Sequence, residues 1–275
     1  LFFRFFKYGE MVIRLAWRTR QLRPDLIHSH ELLSLPISLL ATWGRKTPLI
    51  YDAHELYCEQ GSAASRRGAN FRFWMWLERK LIHKFDVVLV ANPERGEVMR
   101  QRFGLKETPI SIENLTEPAP RVESRKLQEY VAAQGGAPGP ILFYQGMINE
   151  DRGLPNVIAA MAQVPKGINF VLMGGQQNDL VQKAAARFGV TDRVFYHPPV
   201  PASGVHAWSC LADAGVVIYR NTGLNNYLCA PNKLYEYLMS GIPVVGSDFP
   251  TVRRVVAASG VGQLFDPESP ESIAQ

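Results

Sequence analysis

The sequence predicts an α/β protein of two doubly wound parallel sheets, and three observations carry that expectation. Short apolar runs of strand length alternate with longer amphipathic stretches along most of the chain. The runs at 86–91, 141–146 and 170–175 are apolar almost throughout, as parallel strands covered on both faces require. Between two such series lies 119–139, rich in Pro and Gly, which divides the chain into 1–118, a linker, and 140–275.

In the first half, residues 1–23 interleave aromatic and aliphatic side chains with Arg4, Lys7, Arg14, Arg18, Arg20 and Arg23, an amphipathic basic helix. Such a helix can lie on an anionic membrane surface, apolar face down, with its cations toward the headgroups. The same pattern suits a helix packed on its own domain with its arginines in water. Pro24-Asp-Leu-Ile-His-Ser-His30 closes that helix and starts a short strand, an apolar helix over 32–43 follows, interrupted near Pro36, and then a strand at 48–51. That strand runs into Asp52-Ala-His-Glu-Leu56, a polar cluster just past a strand's carboxyl end, where open α/β sheets bind ligands. His54 is the candidate there; His28, His30 and Glu31 are secondary ones. Residues 58–70, with Arg66 and Arg67, read as a loop. A helix carrying aromatic and basic residues follows at 72–80, a strand at 86–91, a helix at 93–103 and a strand at 110–114.

The second half opens with the strand Ile141-Leu-Phe-Tyr-Gln-Gly146 and a glycine turn leading into a helix over 154–162. Gly146 permits close backbone approach, and Arg152 offers a planar donor fork, so this turn could seat a diphosphate. Strands at 170–175, 194–196 and 214–219 alternate with helices at 180–188 and 205–212. The stretch from Ala230 to Val245 reads helix, glycine stop, buried strand. Pro231 suits a first helical turn, whose free amides face any anion placed there; Asn232 and Lys233 add polar groups, and Glu236 sits one turn in, placed to accept from vicinal hydroxyls. A helix from Pro250 and a strand at 262–265 close the series.

Composition narrows the class. At 275 residues and 47% apolar, the chain has the length for two domains and a sizeable core. Cys58, Cys210 and Cys229 are odd in number and lack Cys-x-x-Cys or Cys/His ligand spacing, which argues for a reducing compartment and against a zinc site or disulfide framework. No run reaches the roughly 18 apolar residues of a bilayer span. These features predict a cytoplasmic protein, with the basic helix its one route to peripheral association at the inner face of the membrane. Leu1 and the end at Gln275 predict a chain cut at both ends, with the first strand of the N-terminal domain among the missing parts. Of the formal net charge of +5, all lies before residue 121, where 18 basic face 13 acidic side chains; later residues hold 12 of each. This asymmetry implies an anionic partner. With no recognised nucleic-acid motif, nucleic acid is not expected, and a membrane surface fits better.

The Pro-Asn-Lys-Leu-Tyr-Glu-Tyr segment followed by Gly-Ile-Pro-Val-Val resembles the donor-binding motif of family 4 glycosyltransferases. Tyr-Asp-Ala-His-Glu and the turn from Gly146 to Gly153 resemble two further motifs of that family. The resemblance implies the GT-B architecture, two Rossmann-like domains facing a cleft, and a transferase moving a sugar from a UDP- or GDP-sugar to a saccharide or lipid-linked acceptor. It further implies retention of configuration and no divalent metal or other cofactor, in envelope or exopolysaccharide synthesis. Carried over by position, Glu236 holds the nucleotide ribose, Arg152 and Lys233 the diphosphate, and His54 faces the transferred sugar. Two positions depart from the pattern. The family's second Glu, eight residues before the ribose-binding one, is Leu228 here, with Asn225 and Asn226 the nearest polar substitutes, and a basic residue after the loop glycine is Met147. An epimerase of the same fold, or a donor-binding subunit without turnover, remains the alternative.

Overall fold

A computed structural model describes residues 2–60, 68–175 and 178–275, without the side chains of residues 2–5 and 178. Arg66, Arg67 and the side chain of Arg4 lie outside the described residues. The chain forms two compact units, 1–113 with 223–228, and 114–222 with 229–275.

In the first unit four parallel strands, β1 (Ile27–His30), β2 (Leu49–Ala53), β3 (Val87–Val90) and β4 (Ile110–Ser111), pair in that order. Helices α1 (Phe2–Leu22), α2 (Leu35–Ala41), α3 (Ala69–Leu81) and α4 (Pro93–Phe103) accompany them. Pro36 does not interrupt a helix: it stands in the first turn of α2, where its missing N–H costs nothing, after a 3-10 turn at Leu32–Ser34. Helix α4 is bounded locally, by Asn92, whose Oδ1 accepts from the Arg95 N–H at 2.8 Å, and by Gly104 in the left-handed region at φ 67°. Leu32, Leu35, Tyr51, Ile82 and Met99 form the centre of the core.

Helix α1 packs on α2 through buried Val12 and Ala16, and is tied down by Tyr8 Oη donating to the Leu33 carbonyl at 2.9 Å and Arg20 to that of Trp43 at 2.7 Å. Its apolar residues are not all consumed by that packing: Phe6 is 69%, Ile13 67% and Trp17 61% exposed. No described helix is long and apolar enough to cross a membrane.

The second unit holds six parallel strands, β5 (Ile141–Gln145), β6 (Asn169–Met173), β7 (Val194–His197), β8 (Ala214–Val217), β9 (Val244–Ser247) and β10 (Gly262–Phe265). Their order is β10-β9-β8-β5-β6-β7. The chain starts in mid-sheet, winds outward, then returns to the other side of β5, so the direction of winding reverses between β5 and β8. Residues alternate between the two faces: Phe143 packs with Val171 and Val217 on one, Tyr144 with Leu172 and Val216 on the other.

Helices α5 (Lys126–Ala133), α6 (Leu154–Ala160), α7 (Asn178–Phe188) and α8 (Ala202–Ser209) belong to this unit. Helix α5 lies inside the stretch read as a linker, yet Leu127 and Val131 are buried in the core of the second unit. Next comes α9 (Leu224–Tyr227), four residues that belong to the first unit. The chain then returns for α10 (Asn232–Met239), α11 (Pro250–Ser259) and α12 (Pro270–Ala274). Cys58, Cys210 and Cys229 are buried and form no disulfide.

Candidate functional site

In the second unit the winding reversal opens beyond the carboxyl ends of β5 and β8, beside the start of α10. Gly146, the residue after β5, holds φ at 128°, a value that a side chain rarely tolerates, and a Cβ there would meet the Lys233 Nζ at 3.2 Å. Gly174, after β6, is pressed against it: a Cβ on Gly174 would stand 1.7 Å from the Gly146 carbonyl oxygen. Glycine at both positions lets two strand ends close on one spot.

Arg152 ends a 3-10 turn at Glu150–Arg152, with its N–H donating to Asn149 Oδ1 at 3.1 Å, and Gly153 at φ 79° turns the chain into α6. The guanidinium carbon stands 4.4 Å from the Tyr219 ring centroid. Lys233, in the first turn of α10, is 8% exposed, with its ammonium 3.8 Å from the Tyr144 centroid and 5.7 Å from that of Tyr219. Burial first and Arg152 second push its pKa down to about 7, against the pull of Glu236. The two basic side chains thus share the Tyr219 ring, an arrangement suited to a multiply charged anion.

Glu236 is half-buried one turn into α10. Its Oε2 accepts from Gln145 Nε2, while Gln145 Oε1 accepts from Ser209 Oγ at 2.6 Å, so a buried relay fixes the carboxylate. The backbone of Gln145 is held in turn, donating to Tyr237 Oη at 3.0 Å. Asn232, also singled out in the sequence, is exposed, its Oδ1 accepting from Asn114 Nδ2 at 3.5 Å. The sequence-based candidates Gly146, Arg152, Lys233 and Glu236 therefore converge, and Asn232 stands at the helix start beside them. Gln145, Ser209, Tyr144 and Tyr219 went unpredicted. Gln145 left one readable signal, a polar residue ending an apolar strand.

His54 belongs to the first unit and has company. Asp52 Oδ2 lies 3.1 Å from His28 Nε2, 3.4 Å from His30 Nδ1 and 3.4 Å from His54 Nε2. His30 Nδ1 and His54 Nε2 are 2.9 Å apart, and the His54 carbonyl accepts from the Arg95 guanidinium. Glu31, next to His30, adopts φ 64° and ψ 160°, a region that glycine occupies. Its Oε1 accepts from the Glu55 N–H at 3.2 Å, and its carboxyl is pushed up to about 7, chiefly by burial and then by Glu55.

Leu228 is 5% exposed in the core of the first unit, hydrocarbon where the resemblance expected a carboxylate. Asn225 does not stand in for that carboxylate. Its Oδ1 accepts from the Leu56 N–H at 3.0 Å and from Arg95 Nη2 at 3.1 Å, so its amide oxygen is spent on folding.

Two parallel-sheet α/β units, the second with cations, a glycine turn and a braced carboxylate at its winding reversal, define a protein of the GT-B class. Residues 4–112 match the glycosyl transferase 4-like domain and residues 139–275 match glycosyl transferases group 1. The chain belongs to the group 1 glycosyltransferase family.

It is 23% identical over 263 residues to D-inositol 3-phosphate glycosyltransferase of Xylanimonas cellulosilytica, an overlap of 90% of this chain and 61% of that one. With the protein of the same description from Nocardia farcinica it shares 25% over 266 residues, 87% of this chain and 55% of the relative. The chain thus spans 61% and 55% of the length of these two curated relatives. The crystal structure of Anabaena Alr3699/HepE in complex with UDP has the same fold, with a TM-score of 0.77 at 16% identity over 96% of this chain and 70% of that one.

Proposed function

We propose that the protein transfers a hexosyl group from a UDP-sugar to a saccharide or lipid-linked acceptor, with retention of configuration. One observation carries the reading: Glu236, braced by Gln145, stands one turn beyond the buried Lys233, the spacing at which a carboxylate can hold a ribose while the lysine holds the diphosphate. The fold neighbour from Anabaena, solved also with UDP-glucose, supports UDP over GDP as the donor's nucleotide.

In this mechanism the leaving diphosphate gains negative charge as the sugar becomes oxocarbenium-like. Arg152, Lys233 and the first amides of α10 are fixed donors for that charge, and no divalent ion is needed for it. The family resemblance, and it alone, assigns His54 to the transferred sugar. Activity in envelope or exopolysaccharide synthesis would bring the acceptor to a membrane, and α1 supplies a docking surface. At about 100° per residue, Phe6, Ile13 and Trp17 fall within an arc of about 40°, beside the arc of Lys7, Arg14 and Arg18.

Titration with UDP and with GDP, without metal, tests the donor reading. Wild type should bind UDP more tightly than GDP, and Glu236→Ala should weaken UDP about tenfold, about 1.4 kcal/mol. Equal affinity in the variant would make the carboxylate structural and remove the main support.

A further inference from the structure

We propose that His28, His30 and Asp52 form a binding site for a divalent transition-metal ion of the zinc class. The strand register builds it. His28 and His30 are two residues apart on β1 and so share one face of the sheet, while Ser29 between them is buried on the other. Asp52 is the register partner of His30 on β2. Three ligand-type side chains therefore leave one edge of the sheet on one side.

Their separations are those of a coordination shell. A metal bound at 2.0–2.1 Å by tetrahedral ligands holds neighbouring ligand atoms roughly 3.3–3.4 Å apart. Asp52 Oδ2 stands 3.1 Å from His28 Nε2 and 3.4 Å from His30 Nδ1. As a hydrogen bond the longer distance is poor; as an edge of a tetrahedron it fits. The ligand atoms of His28, His30 and Asp52 all lie within 4.8 Å of one another, a three-ligand set whose fourth position falls to solvent.

Donor chemistry selects the ion. Imidazole suits zinc, copper, nickel and cobalt, whereas magnesium and calcium prefer oxygen-rich shells. A dication held by one carboxylate and two imidazole nitrogens leaves the occupied site with a single positive charge. The backbone is fixed for the purpose: the Glu31 N–H donates to the Asp52 carbonyl at 3.0 Å, locking the end of β1 to β2 while Glu31 itself holds its glycine-like conformation. The two histidines come from one segment and Asp52 from another, and only the strand register joins them. The proposal rests on the first unit alone and assigns the metal no part in neutralising the diphosphate.

The test is metal binding by the full chain, stripped with a chelator and assayed without nucleotide. Calorimetric titration with Zn²⁺ should give one equivalent, and Co²⁺ should develop the intense visible bands of a four-coordinate ion. His28→Ala and His30→Ala should each weaken Zn²⁺ at least tenfold; these side chains are 39% and 57% exposed, so the fold tolerates their loss, and His30→Asn provides a second, milder variant. His83→Ala, in the same unit, should bind as wild type. No uptake at a hundredfold excess of Zn²⁺, or uptake that the His28 and His30 variants leave unchanged, would overturn the proposal.

Discussion

The ammonium of Lys233 stands 3.8 Å from the centroid of the Tyr144 ring, with its pKa pushed down to about 7 chiefly by burial. Above neutral pH the empty site therefore holds much of this lysine uncharged, and a bound diphosphate restores the charge. UDP binding is expected to take up a proton, approaching one at pH 8 and falling toward none from this group at pH 6. Affinity should decline above pH 7, at most about tenfold per pH unit. Calorimetry in two buffers of different ionisation enthalpy measures the uptake. Lys233→Met should abolish its pH dependence, and an unchanged uptake in that variant would contradict the assignment.

Gln145 links Glu236 to Ser209, so its effect should run through the carboxylate. Gln145→Leu is expected to weaken UDP about fivefold, about 1 kcal/mol. On a Glu236→Ala background the same change should cost little more, since both remove one interaction. Additive losses in that cycle would mean that Gln145 acts independently of Glu236.

Gly174→Ala places a methyl group 1.7 Å from the Gly146 carbonyl oxygen, a backbone atom that cannot swing away. Loss of UDP binding together with a lowered melting temperature is expected. Gly189→Ala is the reference: φ is 67° but open space surrounds the position, so about 1 kcal/mol of stability should go and UDP binding should stay.

Glu78 is buried against Tyr51, whose hydroxyl donates to it at 2.7 Å, and burial pushes its carboxyl from 4.5 up to about 7. A raised folded-state value favours the protonated form, so the stabilisation is complete below about pH 4.5 and is lost as pH rises through 7. Glu78→Gln keeps an acceptor for Tyr51 and removes the buried charge. The variant should melt above wild type at pH 8, by about 2–4 °C for each kcal/mol, and close to it at pH 5. Glu31 titrates in the same window, so part of the pH dependence should survive.

Exposed Ile13 and Trp17 beside Arg14 and Arg18 imply binding to vesicles that contain anionic lipid. Cosedimentation should fall with added salt and fall further in Ile13→Glu/Trp17→Glu, while neutral vesicles should bind little. Equal binding by the double variant would leave α1 with a packing role alone.

Much of this was legible in the sequence because parallel strands covered on both faces must be apolar. The runs at Ile141–Gln145 and Val87–Val90 could hardly be anything else. The residues of the candidate site were legible where they share one segment, as Asn232, Lys233 and Glu236 do. The Ser209–Gln145 bond was not, because its partners are 64 residues apart and only the sheet's winding joins them. Helix α9 escaped for a related reason: four residues give no period to read, and their burial comes from the first unit's core. The packing of Leu127 and Val131 was not legible either, because two apolar residues one turn apart in a short charged segment give too little period to read.

The membership of Gly223–Leu228 in the first unit has a consequence for cutting the gene. A fragment stopping at Glu113 would carry every strand of the first sheet but not the Asn225 oxygen that receives the Leu56 amide and the Arg95 guanidinium, nor the Leu228 carbonyl that receives the Asn92 amide. Asn92 and Arg95 are both buried, so such a fragment would expose a wound at the head of α4. The reciprocal fragment would carry a loop whose burial partners had been left behind. In this protein the two folding units are not two exons' worth of independent text, and a working half would have to be made by permutation, with the Gly223–Leu228 segment grafted onto the end of the first piece.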